Sequence, residues 1–183
     1  GVGLHGKTIG VLGLGRLGGQ VATVGAAFGM HVLAWSQNLT RERTDALGVE
    51  LAASKEVLLA ASDVVTIHLV LSARTRGLLG AAELAAMRPG AYLVNTSRGP
   101  IVDEGALVEA LRHGTIAGAA LDVFNTEPLS TDHPLLSAPN LVLTPHLGYV
   151  TQENYALFYG DVVADILAFL DGSPVRVIEP RPR

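Results

Sequence analysis

The chain contains no cysteine, which excludes disulfides and thiolate metal sites together. No metal is expected. Charge is also scarce, 16% of 183 residues, against about 25% in an average soluble domain. Lys and Arg number 13 against 17 Asp and Glu, a net charge of −4, so neither nucleic acid nor an anionic membrane is an expected partner. The opening Gly1-Val-Gly-Leu-His-Gly-Lys7 lacks the apolar core of a signal peptide. With the missing cysteines, this sets the expectation of a cytoplasmic protein. One charge-free stretch, the 24 residues between Arg16 and Arg41, needs testing as a membrane span. It is broken by Gly18, Gly19, Gln20, Gly25, Gly29 and His31 and runs into Ser36-Gln37-Asn38. It reads as a buried helix and strand.

What remains is apolar and glycine-rich. Hydrophobic residues make up 49% and glycine 21 of 183 positions; mean hydropathy is +0.37. A chain of this length suits one domain with a sizeable core. Short continuous apolar runs predict strands at Thr8–Leu12, His31–Trp35, Val64–Ile67, Tyr92–Asn95, Ile116–Leu121 and Leu141–Thr144, with a brief one at Val49–Leu51. Between them the pattern predicts helices at Leu17–Phe28, Arg41–Leu47, from Ser54 to Ala60, Ala81–Met87 and from Asp103 to His113. Strand–helix alternation with unbroken apolar strands points to a parallel sheet covered on both faces. The longest loop, Asn125–Asn140, holds three prolines, and a loop of that length usually has a function or is mobile. Thr151–Leu170 breaks the alternation with a long helix carrying a wide apolar stripe. That stripe packs either on its own sheet or on something absent from the chain.

Gly13-Leu-Gly15-Arg16-Leu17-Gly18 is a G-x-G-x-x-G turn that leaves the first strand and opens the first helix. That context turns a weak motif into a dinucleotide fingerprint. The first glycine permits the turn, the second lets backbone approach a pyrophosphate, and the third allows close helix–strand packing. The expected fold is α/β, a Rossmann-type doubly wound parallel sheet with a C-terminal helix. The fingerprint's second element, an acid on the ribose 2′-hydroxyl at the end of the second strand, is replaced by Ser36. Losing that carboxylate removes the repulsion against a 2′-phosphate. Arg41 and Arg43 are near enough in sequence to meet one, and equally suit the solvated first turn of a helix. The cofactor is therefore NAD or NADP.

Ligands of such sheets sit at the carboxyl ends of the strands. There the chain places His68, then Thr96, Ser97 and Arg98, then Asp122 and Glu127, and finally Pro145-His146. Each also has a structural reading: His68 as a satisfied core histidine, Asp122 as a turn cap, Arg98 paired with Asp103, Glu127 as an exposed loop charge, His146 in a plain turn.

The glycine turn, Val94-Asn-Thr-Ser-Arg-Gly-Pro-Ile-Val-Asp-Glu-Gly-Ala-Leu107, Leu121-Asp-Val-Phe-Asn-Thr-Glu-Pro128 and Thr144-Pro-His-Leu-Gly148 together resemble the D-isomer-specific 2-hydroxyacid dehydrogenases. The resemblance implies Arg98, Glu127 and His146 as catalytic residues, Asp122 at the nicotinamide carboxamide and Thr96 near the cofactor, with a homodimer and a small 2-keto or 2-hydroxy acid as substrate. The residue types suit the reaction. A guanidinium holds a carboxylate, an imidazole donates a proton near neutral pH, and a carboxylate orients the ring.

Three departures stand out: Ser36 for the usual acid, Val70 where many members carry proline, and Tyr149-Val150 after the His146 loop. The largest is extent. The family's second domain is built mainly from residues ahead of the cofactor domain, and here the glycine turn begins at Gly13. Residues 1–150 are expected to form the cofactor domain, and 151–183 the helix and tail returning toward an absent substrate domain. The isolated chain is then expected to bind dinucleotide and turn over little 2-keto acid. The alternative is a dinucleotide-sensing interaction protein of the C-terminal-binding corepressor type, which resembles the same family.

Overall fold

The computed structural model describes residues 1–179; Pro180 and the rest of the tail, Pro182 included, lie outside the described residues. The chain divides into two compact units, Gly1–His146 and Leu147–Arg183.

The first unit is built on β1 (Thr8–Leu12), α1 (Arg16–Ala27), β2 (His31–Trp35), α2 (Arg41–Asp45), β3 (Glu50–Leu51), α3 (Lys55–Ala61), β4 (Val64–Ile67), α4 (Ala81–Ala86), β5 (Tyr92–Asn95), α5 (Glu104–Arg112), β6 (Gly118–Leu121) and β7 (Leu141–Leu143). The sheet order is β3-β2-β1-β4-β5-β6-β7, every pair parallel. The chain winds outward from β1 in one direction and from β4 in the other, so the topological switch point lies between them. This is the doubly wound architecture read from the strand–helix alternation.

Local chemistry explains the elements. Ser54 Oγ accepts from the Val57 N–H at 3.2 Å and Asp103 Oδ1 from the Ala106 N–H at 3.0 Å, which caps α3 and α5. α1 turns Gly18, Gly19, Ala22 and Gly25 inward. A side chain at Gly25 would press on Ile9 of β1 at 3.1 Å, so the small residues let this helix lie close on the sheet. The main core, with Leu12, Leu58, Leu59, Ile67, Leu93 and Leu107 all fully buried, lies between the sheet and α3, α4 and α5.

Some boundaries differ from the expected ones. The ladder of β6 starts at Gly118 because Ile116, though buried, precedes the residues that pair with β5. β7 stops at Leu143, the last residue in register with β6; the Thr144 N–H still donates to the Leu121 carbonyl at 3.0 Å, and its hydroxyl donates to Asp122. α2 ends at Asp45, ahead of Gly48 at φ 63. The long loop after β6 is not featureless: Pro134–Ser137 forms a 3-10 turn that buries Leu135.

The second unit centres on α6 (Gln152–Leu170), capped by Thr151 Oγ1 at the Asn154 N–H. None of its residues is buried. Tyr155 and Tyr159 stack at 5.6 Å, and Arg176 folds back to pair with Asp161 and Asp165. No helix among the described residues is long and apolar enough to cross a membrane.

Candidate active site

The glycine turn joins β1 to α1 at the switch point. Gly13 has φ 98, which an L side chain rarely adopts; a Cβ there would lie 2.6 Å from the His68 carbonyl at the end of β4. A Cβ at Gly18 would overlap the Gly13 carbonyl. Gly15 is the opposite case, with nothing within 4 Å of the place a Cβ would take. It begins α1, which has neither a side-chain cap nor an acid in its first turn. Two glycines are thus closed by their own fold, while the middle one leaves backbone N–H groups and the helix dipole open to an anion. This is the fit a pyrophosphate requires. Arg16 and Leu17 are exposed beside it, and Ser36, half-buried, follows β2. The Gly13 N–H donates to the Trp35 carbonyl at 2.9 Å, so Ser36 leaves its strand next to the turn.

The other polar residues lie further along the same edge. Thr96 is exposed after β5. Arg98 donates to the Ser97 carbonyl at 2.6 Å, while Asp103 is occupied as the α5 cap; the suggested structural Arg98–Asp103 pair is absent among the described residues. Asp122 is buried and accepts from Thr144 Oγ1. It ties the ends of β6 and β7 together, and so fixes the start of the Pro145-His146 turn.

Glu127 is not a loose loop charge. Its Oε1 accepts from the Phe124 N–H at 2.9 Å and its Oε2 from His146 Nδ1 at 2.8 Å. The bond to His146 first, then the Phe124 N–H, and also the charge of Arg98 hold its carboxyl below the ordinary 4.5. An ionised Glu127 accepts a hydrogen bond from Nδ1–H and so sets the tautomer and orientation of the ring. A depressed carboxyl keeps its pairing as pH falls through the ordinary glutamate range and loses it only below that range. His146 holds φ 56, a left-handed backbone that costs a non-glycine residue roughly 1–2 kcal/mol. Its N–H bond to the Thr144 carbonyl and its bond to Glu127 hold it there. Phe124, Glu127, Pro128, Leu129, Pro145 and His146 line a cavity of about 370 Å³. Its apolar walls with one acid–imidazole pair suit a small polar substrate.

His68 accords with its structural reading. It is half-buried and hydrogen-bonded to Thr66 at 3.0 Å, and burial lowers its pKa. Sequence reasoning missed Asn95 as a positioning residue. Buried at the end of β5, it accepts from the Ser97 N–H and donates to the Arg98 carbonyl, fixing the turn that presents Arg98. An amide closing an otherwise apolar strand was the available signal.

A glycine cradle at the switch point and an acid–imidazole pair on the same edge invite comparison with known dehydrogenases. The family model described as D-isomer specific 2-hydroxyacid dehydrogenase, NAD binding domain, matches residues 1–148. The chain belongs to that family. It is 49% identical over 172 residues to a glyoxylate reductase of Aeropyrum pernix, covering 94% of this chain and 51% of that protein. It is 45% identical over 177 residues to a D-3-phosphoglycerate dehydrogenase of Archaeoglobus fulgidus, covering 96% and 33%. Its fold is similar to that of a phosphoglycerate oxidoreductase of Vibrio cholerae, with a TM-score of 0.88 and 37% identity over 94% of this chain and 55% of that one. The chain thus spans about half the length, or less, of the curated relatives it matches. What it supplies is the family's NAD-binding domain.

Proposed function

We propose that this chain is the cofactor-binding half of an NAD(P)-dependent oxidoreductase that interconverts a 2-keto acid and a D-2-hydroxy acid, with Arg98, Glu127 and His146 as its catalytic residues. The observation that carries the reading is the 2.8 Å Glu127–His146 pair, close enough to Arg98 for its charge to act on Glu127, on the same sheet edge as the open Gly15 turn. Arg98 holds the substrate carboxylate with its planar fork and polarises the adjacent carbonyl. Protonated His146 gives its Nε2 proton to the carbonyl oxygen, and takes it back in the reverse direction. Glu127 stabilises the imidazolium and fixes which nitrogen faces the substrate. A bound nicotinamide supplies the hydride to the keto carbon.

Gly13, Gly15, Arg16, Leu17 and Gly18 are assigned to the pyrophosphate, Ser36 to the adenosine ribose, and Thr96 and Asp122 to the nicotinamide end. We infer that residues 1–150 act as the cofactor domain and that the helix and tail over 151–183 return toward a substrate domain outside this chain. The apolar, unburied α6 supports this. We further infer a cytoplasmic homodimer. The relatives named above are reductases and dehydrogenases by name and lend the corepressor alternative no support.

The test is turnover of a 2-keto acid panel with NADH and NADPH by the protein at its natural length, and by its Arg98→Ala and His146→Ala variants. Each substitution is expected to lower kcat/KM by about 10²- to 10⁴-fold with dinucleotide affinity retained. Normal turnover in both variants would remove the assignment.

A further inference from the structure

Two carboxylates are buried among the described residues, Asp122 and Glu104. Asp122 is taken up by the strand ends. Glu104 opens α5 directly after its cap Asp103, and no Lys or Arg pairs with it among the described residues. A carboxylate out of water is costly unless donors reach it. Both donors here come from the long loop after β6. Glu104 Oε1 accepts from the Asn125 N–H at 2.7 Å, and Oε2 faces His133 Nε2 at 3.6 Å. His133 Nδ1 accepts from the Leu135 N–H at 3.3 Å, so the neutral ring carries its proton on Nε2, toward the carboxylate.

These two contacts lie on either side of Glu127. The segment between them has little packing of its own: residues 125–128 and 130–132 are exposed. Its placement therefore depends on its anchors. Gly99, next to Arg98, adds a close approach, since a Cβ there would overlap the Phe124 carbonyl. The Arg98 turn and the start of the loop thus lie backbone against backbone. From that point the bonds run in series. The Asn125 N–H goes to Glu104, the preceding Phe124 N–H goes to Glu127 Oε1, and Glu127 Oε2 takes His146 Nδ1. A shift at Asn125 reaches the imidazole through one peptide and one carboxylate.

We propose that Glu104 is a positioning residue for the reaction: it pins the loop at Asn125 and His133, and so sets Glu127 on His146. The proposal rests on the reading of Glu127 and His146 as catalytic, and adds the residue that aims them. Glu104 acts through Glu127 and not on the reacting atoms. A residue that only stiffened the fold would change the amount of native protein and leave the turnover of each native molecule alone.

The test is a double-mutant cycle between Glu104→Ala and Glu127→Gln in the protein at its natural length. It is read as kcat and KM on the 2-keto acid, from glyoxylate, hydroxypyruvate and pyruvate, that the parent reduces fastest. Glu104→Ala is expected to lower kcat about 10- to 100-fold, with KM within threefold and dinucleotide affinity within twofold. In the Glu127→Gln background the same change is expected to cost less than threefold, because the group it aims is already disabled. Glu104→Gln keeps an oxygen for the Asn125 N–H and is expected to recover most of the lost kcat. Being of the same volume, it carries the cycle should Glu104→Ala not fold. Parent-like kcat in folded Glu104→Ala, with Glu127→Gln impaired, would overturn the proposal and leave the catalytic reading standing. Equal losses in both backgrounds would make Glu104 a fold-stiffening residue and overturn it too. Normal turnover in Glu127→Gln, or none in the parent, would remove the catalytic reading and the proposal together.

Discussion

The two rims of the sheet are built on opposite terms. At the amino rim Asp63, just ahead of β4, is saturated by the protein itself: it accepts from the Thr8 N–H at 2.8 Å and pairs with Arg88 at 3.2 Å and Lys7 at 3.7 Å. Its carbonyl takes the Tyr92 N–H. One residue thereby staples the starts of β1, β4 and β5. At the carboxyl rim the polar groups are satisfied only far enough to be aimed. Among the described residues Arg98 donates to just the neighbouring Ser97 carbonyl, the space a side chain at Gly15 would take is open, and Glu127 spends its charge on orienting His146. Charge at the first rim holds strands together, and charge at the second is held in readiness for something else.

The sharpest way to break this comparison is to neutralise one acid at each rim. Glu127→Gln keeps an acceptor for the Phe124 N–H but offers an amide to His146, which then favours the wrong tautomer. Turnover at natural length is expected to fall on the order of 10²- to 10⁴-fold, with the melting temperature almost unchanged. Asp63→Ala should show the converse. Leaving the Thr8 N–H and two cations without their partner costs about 1–3 kcal/mol of stability, read by denaturant unfolding, while dinucleotide affinity stays within twofold. If Asp63→Ala lost cofactor binding at undiminished stability, the division between the rims would be wrong.

The smallest effect concerns His68, which touches the glycine turn yet reads as structural. Burial lowers its folded pKa below the ordinary 6.5. As pH drops through 6.5 the unfolded chain therefore takes up the proton first, and stability falls; it levels off once the folded form is protonated as well. A shallow decline in melting temperature over that window is expected in the parent chain. It should be weaker in His68→Gln, with dinucleotide affinity at neutral pH unaltered.

These contrasts also show what was legible in the residues. β1, β2, β4 and β5 run as read to the residue, because each is an unbroken apolar run closed by a glycine or a polar side chain. Ser54 and Asp103 announced their helices as capping residues, whereas Thr151, read as the first residue of its helix, proves to be the cap ahead of Gln152. The polar residues at strand ends were legible as a set once the sheet was known to be parallel, since that topology sends every carboxyl end to one edge. Contacts spanning distant positions were not. Nothing around Arg43 signals that its side chain lies on carbonyls 28 and 29 positions away, and nothing around Asn95 signals its grip on the Arg98 turn. Ile116 misled for a related reason: it is buried as a strand residue would be, but pairing, and not burial, defines a ladder.

The strand order has a consequence in time. β1, β2 and β4, which frame the glycine cradle, all lie within the first 67 residues of this chain, whereas Arg98, Glu127 and His146 follow on strands added outward beyond β4. A ribosome releases a chain amino end first, at roughly 5–20 residues per second. The glycine cradle is therefore synthesised several seconds before the acid–imidazole pair, and the residues of the reacting edge follow it strand after strand.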